Sequence, residues 1–310
     1  MINIQKNVSL KNYSNYKIGG NALYFLEINS KKELFEGLGQ WKERGRIFIL
    51  GKGTNILINE KGFGGLVIHN NILGIEKRGE EVVVGAGVLV SDFLNFCIDN
   101  SFSGFEWAGG LPGTIGGAVR GNAGAFKGET KDSVKEVESI NLTTLEEKKR
   151  SNLGCEFEYR NSIFKKSAGN EIIVSVAFGL KAGDKNLIKD KIQEKIDYRN
   201  LKHPMEYPSI GSTFKNIPIE KISGKLLEDL RQYIKDDPFP VIPVAKLLYL
   251  CDLKGKREGD AQISEKHPNF IVNLGNAKYK DVVFLINYAK QRIKEKFGIT
   301  LEEEIMYLPY

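Results

Sequence analysis

The sequence predicts an α+β protein with more than one domain, and three observations support this prediction. A chain of 310 residues is long enough to bury two or three separate cores. Short apolar runs typical of strands and amphipathic runs typical of helices follow one another along the chain. The segment "LKHPMEYPSIG" (201–211) has the composition of a linker, because its two prolines resist helix. We therefore expect a domain boundary near residue 200.

The first two hundred residues contain strand and helix signals in a mixed order. A helix is predicted to begin at Ser30, where "SKKE" has the form of a capping box, and to run through Trp41. A second helix is predicted near "VSDFLNFCIDN" (90–100), and a third over "NLIKDKIQEKIDYRN" (186–200). The predicted strands are "RIFIL" (46–50), "EEVVVGAG" (80–87), "VKEVESINL" (134–142) and "EIIVSVAFGL" (171–180).

The remaining residues predict a smaller set of elements. A helix near "SGKLLEDLRQY" (223–233) is followed by the proline-rich piece "DDPFPVIP" (236–243) and a strand "NFIVN" (269–273). A long helix over 281–297 is expected to end at Gly298. The segment "ITLEEEIMYL" (299–308) reads as a final strand.

Composition excludes several classes of protein. No apolar run approaches the roughly 20 residues that span a bilayer, and the first residues lack a signal-peptide pattern, so we expect a cytoplasmic protein without a membrane partner. Three scattered cysteines indicate neither a disulfide framework nor zinc. The histidines His69, His203 and His267 show no metal-ligand spacing, so no metal site is expected. A net charge of +6, spread along the chain, suits an anionic small ligand at least as well as nucleic acid.

Two glycine-rich segments are candidates for anion binding: "LGKGTN" (50–55) and "GGLPGTIGGAVRGNAG" (109–124). Glycine lets a phosphate approach the backbone, and successive N–H groups in turns form anion-binding concavities. The dinucleotide fingerprint GxGxxG is broken at Ile56, and no GxxxxGK[ST] motif occurs. Turn formation and close packing remain the alternative explanation, more so for the first loop than for the second.

Six motifs give the chain a specific resemblance. In order, they are "ILGKGTNIL", "GLPGTIGGAVRGNAGAF", "YRNSIFK", "GSTFKN", "GDAQIS" and "GITLEEEI". Their order and spacing resemble the UDP-N-acetylenolpyruvoylglucosamine reductase family, over residues 17 to 308. The resemblance implies an FAD-binding domain of the vanillyl-alcohol-oxidase (PCMH) type in two subdomains, followed by an α+β substrate-binding domain. The implied bounds are 1–66 and 67–200 for the two flavin subdomains, the second joined by the strand 299–310, and 201–298 for the substrate domain.

The resemblance also implies cofactors, partners and site residues. FAD is expected to bind without a covalent link, NADPH to reduce it and a UDP-sugar to reoxidise it, in a protein expected to be a monomer. The implied FAD-binding residues are Gly51, Lys52, Gly53, Thr54, Asn55, Pro112, Gly113, Thr114, Gly116, Gly117, Asn122, Gly124 and Arg160. Tyr159, Lys215 and Asn216 are the implied substrate contacts.

The implied reaction reduces an enolpyruvyl ether to a lactyl ether, which requires a group that stabilises an enolate and a group that protonates it. The resemblance implies that Arg160 stabilises the developing charge and that Ser212 donates the proton to the α-carbon. It also implies that a glutamate assists this step, with Glu304 as the first candidate and Glu302 as the second. If "LEEEI" is a regular strand, Glu302 and Glu304 share one face and Glu303 lies on the other.

The chain departs from the family pattern in three places. Asn15 stands where the pattern has threonine, "AQISEKHPNF" lacks the glycine of "AQVSxKHxGF", and the proline-rich piece is an apparent insertion. Two other functions stay open. An FAD-dependent oxidase of the same flavin fold would act on an alcohol or sugar lactone. A binder of anionic polymers is suggested by the pI of about 8.9.

Overall fold

Residues 2–41, 45–167, 169–222 and 224–308 are described by the computed structural model of the protein. Contacts between residues divide the chain into two units. The first unit contains residues up to 8 together with 22–52 and 63–197, and the second contains 9–21, 53–62 and residues from 198 onward. The division at 197/198 lies close to the predicted boundary. Two short segments from the first quarter of the chain nevertheless belong to the second unit.

Strands occur along the whole described chain, and most are short. In chain order they are β1 (Gln5–Ser9), β2 (Asn21–Ile28), β3 (Ile47–Leu50), β4 (Ile56–Ile58), β5 (Phe63–Asn70), β6 (Ile75–Arg78), β7 (Glu81–Gly85), β8 (Phe102–Ser103), β9 (Gly124–Ala125), β10 (Gly128–Glu129), β11 (Val134–Asn141), β12 (Glu147–Ser151), β13 (Glu171–Gly179), β14 (Lys181–Ala182), β15 (Ile217–Pro218), β16 (Lys235–Asp236), β17 (Pro240–Ile242), β18 (Arg257–Glu258), β19 (Ala261–Ile263), β20 (Ile271–Asn273) and β21 (Met306–Leu308).

Helices connect these strands. The α-helices are α1 (Lys31–Gln40), α2 (Val90–Asp99), α3 (Ile115–Gly121), α4 (Ile163–Lys166), α5 (Lys185–Lys202), α6 (Gly224–Leu230), α7 (Val244–Leu250) and α8 (Tyr279–Phe297). Short 3₁₀ turns cover Leu10–Tyr13, Glu106–Ala108, Thr130–Asp132, Leu153–Cys155, Ile219–Lys221 and Arg231–Tyr233. Among the described residues, no helix is long and apolar enough to cross a membrane.

The first unit contains two larger sheets, together with the two-stranded sheets β10-β9 and β14-β8. One sheet has the order β1-β2-β5-β3, with β2 and β3 both parallel to β5. The other has the order β12-β11-β13-β7-β6 and is antiparallel throughout. Buried side chains of α1, β2 and β5 form one core with Ile140, Ile172 and Val174. A larger core lies between β7, β13 and the helices α2 and α3. The first glycine loop thus follows β3, and the second begins after the 3₁₀ turn Glu106–Ala108 and continues into α3.

The second unit is built around helix α8. Val282, Leu285, Ile286, Ala289 and Ile293 form its buried stripe, as the helical period predicts. They pack with residues of α7, β19 and β20 in a single core. Two three-stranded sheets, β15-β17-β16 and β18-β19-β20, belong to this unit. The proline-rich piece therefore forms a β-hairpin, β16 with β17.

The C-terminal segment differs from its prediction in two ways. The strand β21 covers Met306–Leu308 and not the whole of 299–308. It pairs in parallel with β4, inside the second unit, whereas the sequence assigned it to residues 67–200. Glutamates 302–304 lie outside the strand, because their backbone bonds to Thr213 and Lys215 instead.

Candidate functional site

The two glycine loops of the first unit meet at Gly51 and Thr114. A Cβ atom on Gly51 would lie 2.8 Å from Thr114 Oγ1, which is closer than such atoms approach. The loop that follows β3 therefore touches the loop that precedes α3, and glycine is required for that contact. The sequence singles out both segments by their glycine content, and the structure shows that they are in contact.

Backbone N–H groups in both loops are available to a ligand. Within the described residues, the N–H groups of Gly51, Lys52, Gly110, Gly113 and Thr114 donate to no protein acceptor. Gly110 and Gly113 have φ values of 71° and 119°, which few side chains allow. Pro112 between them has no N–H. Backbone donors without protein acceptors in neighbouring glycine-rich loops suit a polyanion, and the diphosphate of a dinucleotide fits this chemistry.

The start of α3 differs from the expectation that its glycines donate to phosphate. The N–H of Gly116 donates to Ala86 O at 2.9 Å, and a Cβ on Gly116 would lie 2.9 Å from Ala86 Cβ. The N–H of Gly117 donates to Thr114 Oγ1 at 3.3 Å, as a helix cap. Gly116 therefore serves close packing. Gly117 has more space, since a Cβ there would meet Thr114 Oγ1 at 3.5 Å.

Asn122 and Gly124 also serve the loop itself. Asn122 is fully buried and has a φ of 42°. Its amide donates to Glu129 Oε1 at 3.1 Å and to Glu158 O at 3.0 Å, and accepts from Lys131 N–H at 3.1 Å. A Cβ on Gly124 would lie 2.8 Å from Glu129 Cγ. These two residues, expected to contact the cofactor, thus hold the shape of the glycine loop through their contacts with Glu129.

Arg160 lies beside the second glycine loop. Its Nη2 donates to Gly124 O at 2.8 Å, and its guanidinium carbon is 5.0 Å from the centre of the Tyr159 ring. The two residues form the tip of a tight turn closed by two 3.1 Å bonds between Glu158 and Asn161. Arg160 has a φ of 55°, which costs free energy for a residue with a side chain and is typical of functional positions. The structure thus holds a cation against the loop.

Residues Gly53 and Asn55 belong to the second unit, where they have structural partners. Gly53 has a φ of 64°, and a Cβ there would lie 2.1 Å from Tyr13 O. Its carbonyl accepts from the N–H of Asn15 at 3.1 Å. The Asn55 side chain donates to Glu304 O at 3.1 Å, and its carbonyl accepts from Met306 N–H at 2.9 Å. For these residues, the alternative of turn formation and close packing accounts for the observed contacts.

Ser212 and Glu304 are joined through Thr213 in the second unit. The carbonyl of Thr213 accepts from Glu304 N–H at 2.8 Å. The N–H of Thr213 donates to Asn269 O at 2.7 Å, and Ser212 forms a β-bridge with Phe270. Ser212 and Glu304, both predicted from the sequence as site residues, therefore lie in one array of three bonded backbone segments.

The three consecutive glutamates have different surroundings. Glu302 Oε1 lies 2.6 Å from Lys221 Nζ, and Oε2 lies 3.3 Å from Lys215 Nζ. The hydrogen bond from Lys221 is the main cause that lowers the pKa of Glu302. Glu303 pairs with Lys290 of α8, and its half-buried side chain lies beside Tyr307. Lys221 and Lys215 thus pair with the carboxylate of Glu302, and Lys290 pairs with the carboxylate of Glu303.

Lys215 and Asn216, the implied substrate contacts in this unit, both have protein partners. Lys215 pairs with Glu302 as above. Asn216 Oδ1 accepts from the N–H of Val244 at 3.1 Å, at the beginning of α7. Sequence analysis did not find Asn269, Lys221 or Lys290, since their roles depend on contacts across many residues of chain. The missing glycine of "AQVSxKHxGF" was the one signal that pointed at Asn269.

Comparison with known proteins agrees with this geometry. Residues 203–308 match the family model of the C-terminal domain of UDP-N-acetylenolpyruvoylglucosamine reductase, and residues 24–144, which include both glycine loops, match an FAD-binding domain. The UDP-N-acetylenolpyruvoylglucosamine reductase of Caldanaerobacter subterraneus subsp. tengcongensis is 36% identical over 96% of this chain and 91% of its own. The Clostridium novyi enzyme of the same name is 35% identical over 97% and 91%.

The chain belongs to the UDP-N-acetylenolpyruvoylglucosamine reductase family. A crystal structure of the enzyme from Thermus caldophilus is similar over 100% of both chains, with a TM-score of 0.77 and 28% identity. Membership of this reductase family confirms the predicted fold and an oxidoreductase with FAD as cofactor. It favours the reductase over an oxidase of the same flavin fold, and over a binder of anionic polymers.

We expect the flavin to be bound without a covalent link, because the loops offer backbone donors. The purified protein should be yellow, and acid or heat denaturation should release all of the flavin to the supernatant, measured by its absorbance. A bulky residue in Gly117→Phe should lower flavin occupancy, with Gly121→Ala as the control, since a Cβ at Gly121 meets nothing within 4 Å. Flavin that precipitates with the chain would contradict the non-covalent prediction.

Proposed function

We propose that this protein uses NADPH to reduce UDP-N-acetylglucosamine enolpyruvate to UDP-N-acetylmuramate, a step in peptidoglycan precursor synthesis. The observation that supports this most is the array around Thr213. In this array the carbonyl of Thr213, the residue after Ser212, accepts from the N–H of Glu304, in a chain of this family. A hydroxyl and a carboxyl on one backbone array suit the protonation of a carbon centre.

The chemistry that bound FAD would supply is transfer of a hydride equivalent from NADPH to the terminal methylene carbon of the enolpyruvyl group. Lys52 and the residues around Gly113 would hold its diphosphate through the N–H groups that have no protein acceptor. Arg160 contributes a fixed positive charge beside the loop, which stabilises the enolate that develops on the substrate. Ser212 then gives its proton to the α-carbon. The Glu304 carboxyl acts on the enolpyruvyl group only after negative charge has developed there.

Lys215 and Tyr159 are the proposed contacts of the sugar nucleotide. Lys215 carries a positive charge beside Glu302, so a diphosphate can compete for it with that carboxylate. Asn216 Oδ1 is already used by Val244, which leaves the Nδ2 group of its side chain for a ligand oxygen.

The test of this proposal separates the two halves of the reaction. Under anaerobic conditions, NADPH should bleach the flavin absorbance of the purified protein. Addition of UDP-N-acetylglucosamine enolpyruvate should restore it, and UDP-N-acetylmuramate should form in proportion. UDP-N-acetylglucosamine without the enolpyruvyl group is the control and should leave the flavin reduced. Bleaching by NADPH without reoxidation by the nucleotide sugar would refute the proposed substrate.

We further infer a cytoplasmic protein that acts as a monomer on small molecules. Cys97, Cys155 and Cys251 are all free and buried, which is typical of a reducing compartment. Size-exclusion chromatography with light scattering should give a mass close to the 34.8 kDa of one chain.

A further inference from the structure

Asn269 holds the backbone beside Ser212 with its side chain. Its Nδ2 donates to Phe214 O at 2.8 Å, and its Oδ1 accepts from Phe214 N–H at 3.1 Å. Its own carbonyl accepts from Thr213 N–H at 2.7 Å. Three hydrogen bonds with one residue therefore fix the backbone of the two residues directly after Ser212, Thr213 and Phe214.

The reason for this arrangement lies in the chain before Asn269. The backbone pairs at Ser212 and Phe270, but residue 268 is proline, which has no N–H and cannot extend a ladder. The side chain of Asn269 supplies a donor and an acceptor in the same geometry as a peptide group. It replaces the missing backbone pairing for Phe214.

The site is buried, so these bonds have no substitute. Asn269 is 3% exposed and Phe214 is 2% exposed. A buried peptide without partners is unfavourable, so the backbone at Phe214 would move if the amide were removed. Asn269 also stands where the resembled pattern has glycine, a residue that could not make the two side-chain bonds.

The hydrogen bonds of Asn269 affect the backbone beside both proposed reactive residues, Ser212 and Glu304. Thr213 donates its N–H to Asn269 O on one side, and its carbonyl accepts from Glu304 N–H on the other. We propose that Asn269 is a positioning residue that holds Ser212 and Glu304 in register for protonation of the substrate. This inference rests on the function proposed above. It adds a residue that acts through others and does not touch the substrate.

Asn273 offers a matched control in the same strand region. It is 1% exposed, and its side chain makes three bonds, one more than that of Asn269: Nδ2 donates to Tyr16 O at 3.0 Å, and Oδ1 accepts from the N–H groups of Gly275 and Ala277 at 2.8 and 2.9 Å. None of these partners lies in the Thr213 array. Asn273→Ala should therefore destabilise the protein about as much as Asn269→Ala without affecting protonation.

The experiment compares both variants with the wild type in the two half-reactions under anaerobic conditions. Asn269→Ala should keep the rate of flavin bleaching by NADPH and slow reoxidation by the nucleotide sugar roughly 10- to 100-fold, as expected for a displaced reactive group. In deuterated solvent, it should also place deuterium at the lactyl α-carbon with reduced stereochemical purity. Hydrogen exchange of a peptide covering 211–216 should accelerate without any added cofactor or substrate.

The outcomes are distinct. If the wild type shows no reoxidation by the nucleotide sugar, the proposed function fails. If the wild type is active and Asn269→Ala matches Asn273→Ala in the ratio of the two half-reactions, the positioning role is overturned. Should Asn269→Ala fail to fold, Asn269→Asp keeps the volume and the acceptor and loses the donor to Phe214 O. A folded Asn269→Asp protein with the wild-type ratio would equally overturn it.

Discussion

Ser212→Ala is expected to slow reoxidation of the flavin by the nucleotide sugar by roughly 10²–10⁴-fold, the range for a positioned acid or base. A serine hydroxyl is a weak acid, so its proton transfers usefully to a strongly basic centre such as an enolate carbon. Reduction by NADPH requires no such proton and should keep the wild-type rate. Stopped-flow absorbance of the flavin measures both half-reactions on the same protein.

Two further variants make the serine prediction specific. Ser212→Cys should retain more activity than Ser212→Ala, because a thiol can also donate a proton. Ser209→Ala removes a hydroxyl three residues earlier and should behave as wild type in both half-reactions. In deuterated solvent, the wild type should give one stereochemistry at the lactyl α-carbon. If Ser212→Ala is reoxidised at the wild-type rate with the same stereochemistry, another group is the donor.

Elements with local signals were predicted well from the sequence. Ser30 Oγ accepts from Glu33 N–H at 3.2 Å, so the predicted start of α1 is confirmed. The Glu33 carboxylate, however, accepts from Asn29 N–H and not from Ser30, as a complete capping box would require. Gly298 has a φ of 70° and ends α8, as predicted. Such signals lie within a few residues of the element they define.

Features that depend on distant partners were not predicted. The sequence predicts a final strand over the whole of 299–308, a segment with apolar residues at both ends. The glutamates between those ends pair with Lys221, Lys215 and Lys290, and the ladder is confined to 306–308. The spacing of charges along the sequence does not reveal which lysines lie nearby.

The glycines illustrate why a loop can be predicted while its atoms cannot. Composition correctly marked both segments as ordered backbone, and the match to an FAD-binding domain spans them. The N–H of Gly116 belongs to Ala86 O, and Gly53 is required by the carbonyl of Tyr13. Within one motif, some glycines leave donors free and others allow packing. Which of these two roles a glycine has depends on neighbouring residues that are far away in the sequence.

Glu304→Gln is expected to leave NADPH-driven bleaching nearly intact and to slow reoxidation by the nucleotide sugar by roughly 10²-fold or more. The amide keeps the size of the carboxyl but cannot carry the negative charge or exchange the proton in the same way. The backbone bonds of Glu304 to Thr213 and Asn55 do not involve its carboxyl, so the substitution leaves both bonds available. Anaerobic rates of both half-reactions measure the effect.

Glu302→Gln is the matched comparison, since the two residues share the predicted face of the segment. The hydrogen bonds from Lys221 and Lys215 lower the pKa of Glu302, so near neutral pH it is a carboxylate that holds its charge in ion pairs. Such a group is a poor proton donor. The Glu302 side chain is at least half exposed, so loss of its ion pairs costs little stability. Glu302→Gln should therefore change reoxidation by a few-fold at most. A larger loss for Glu302→Gln than for Glu304→Gln would move the reactive carboxyl to residue 302, and equal losses in both half-reactions for Glu304→Gln would make that residue structural.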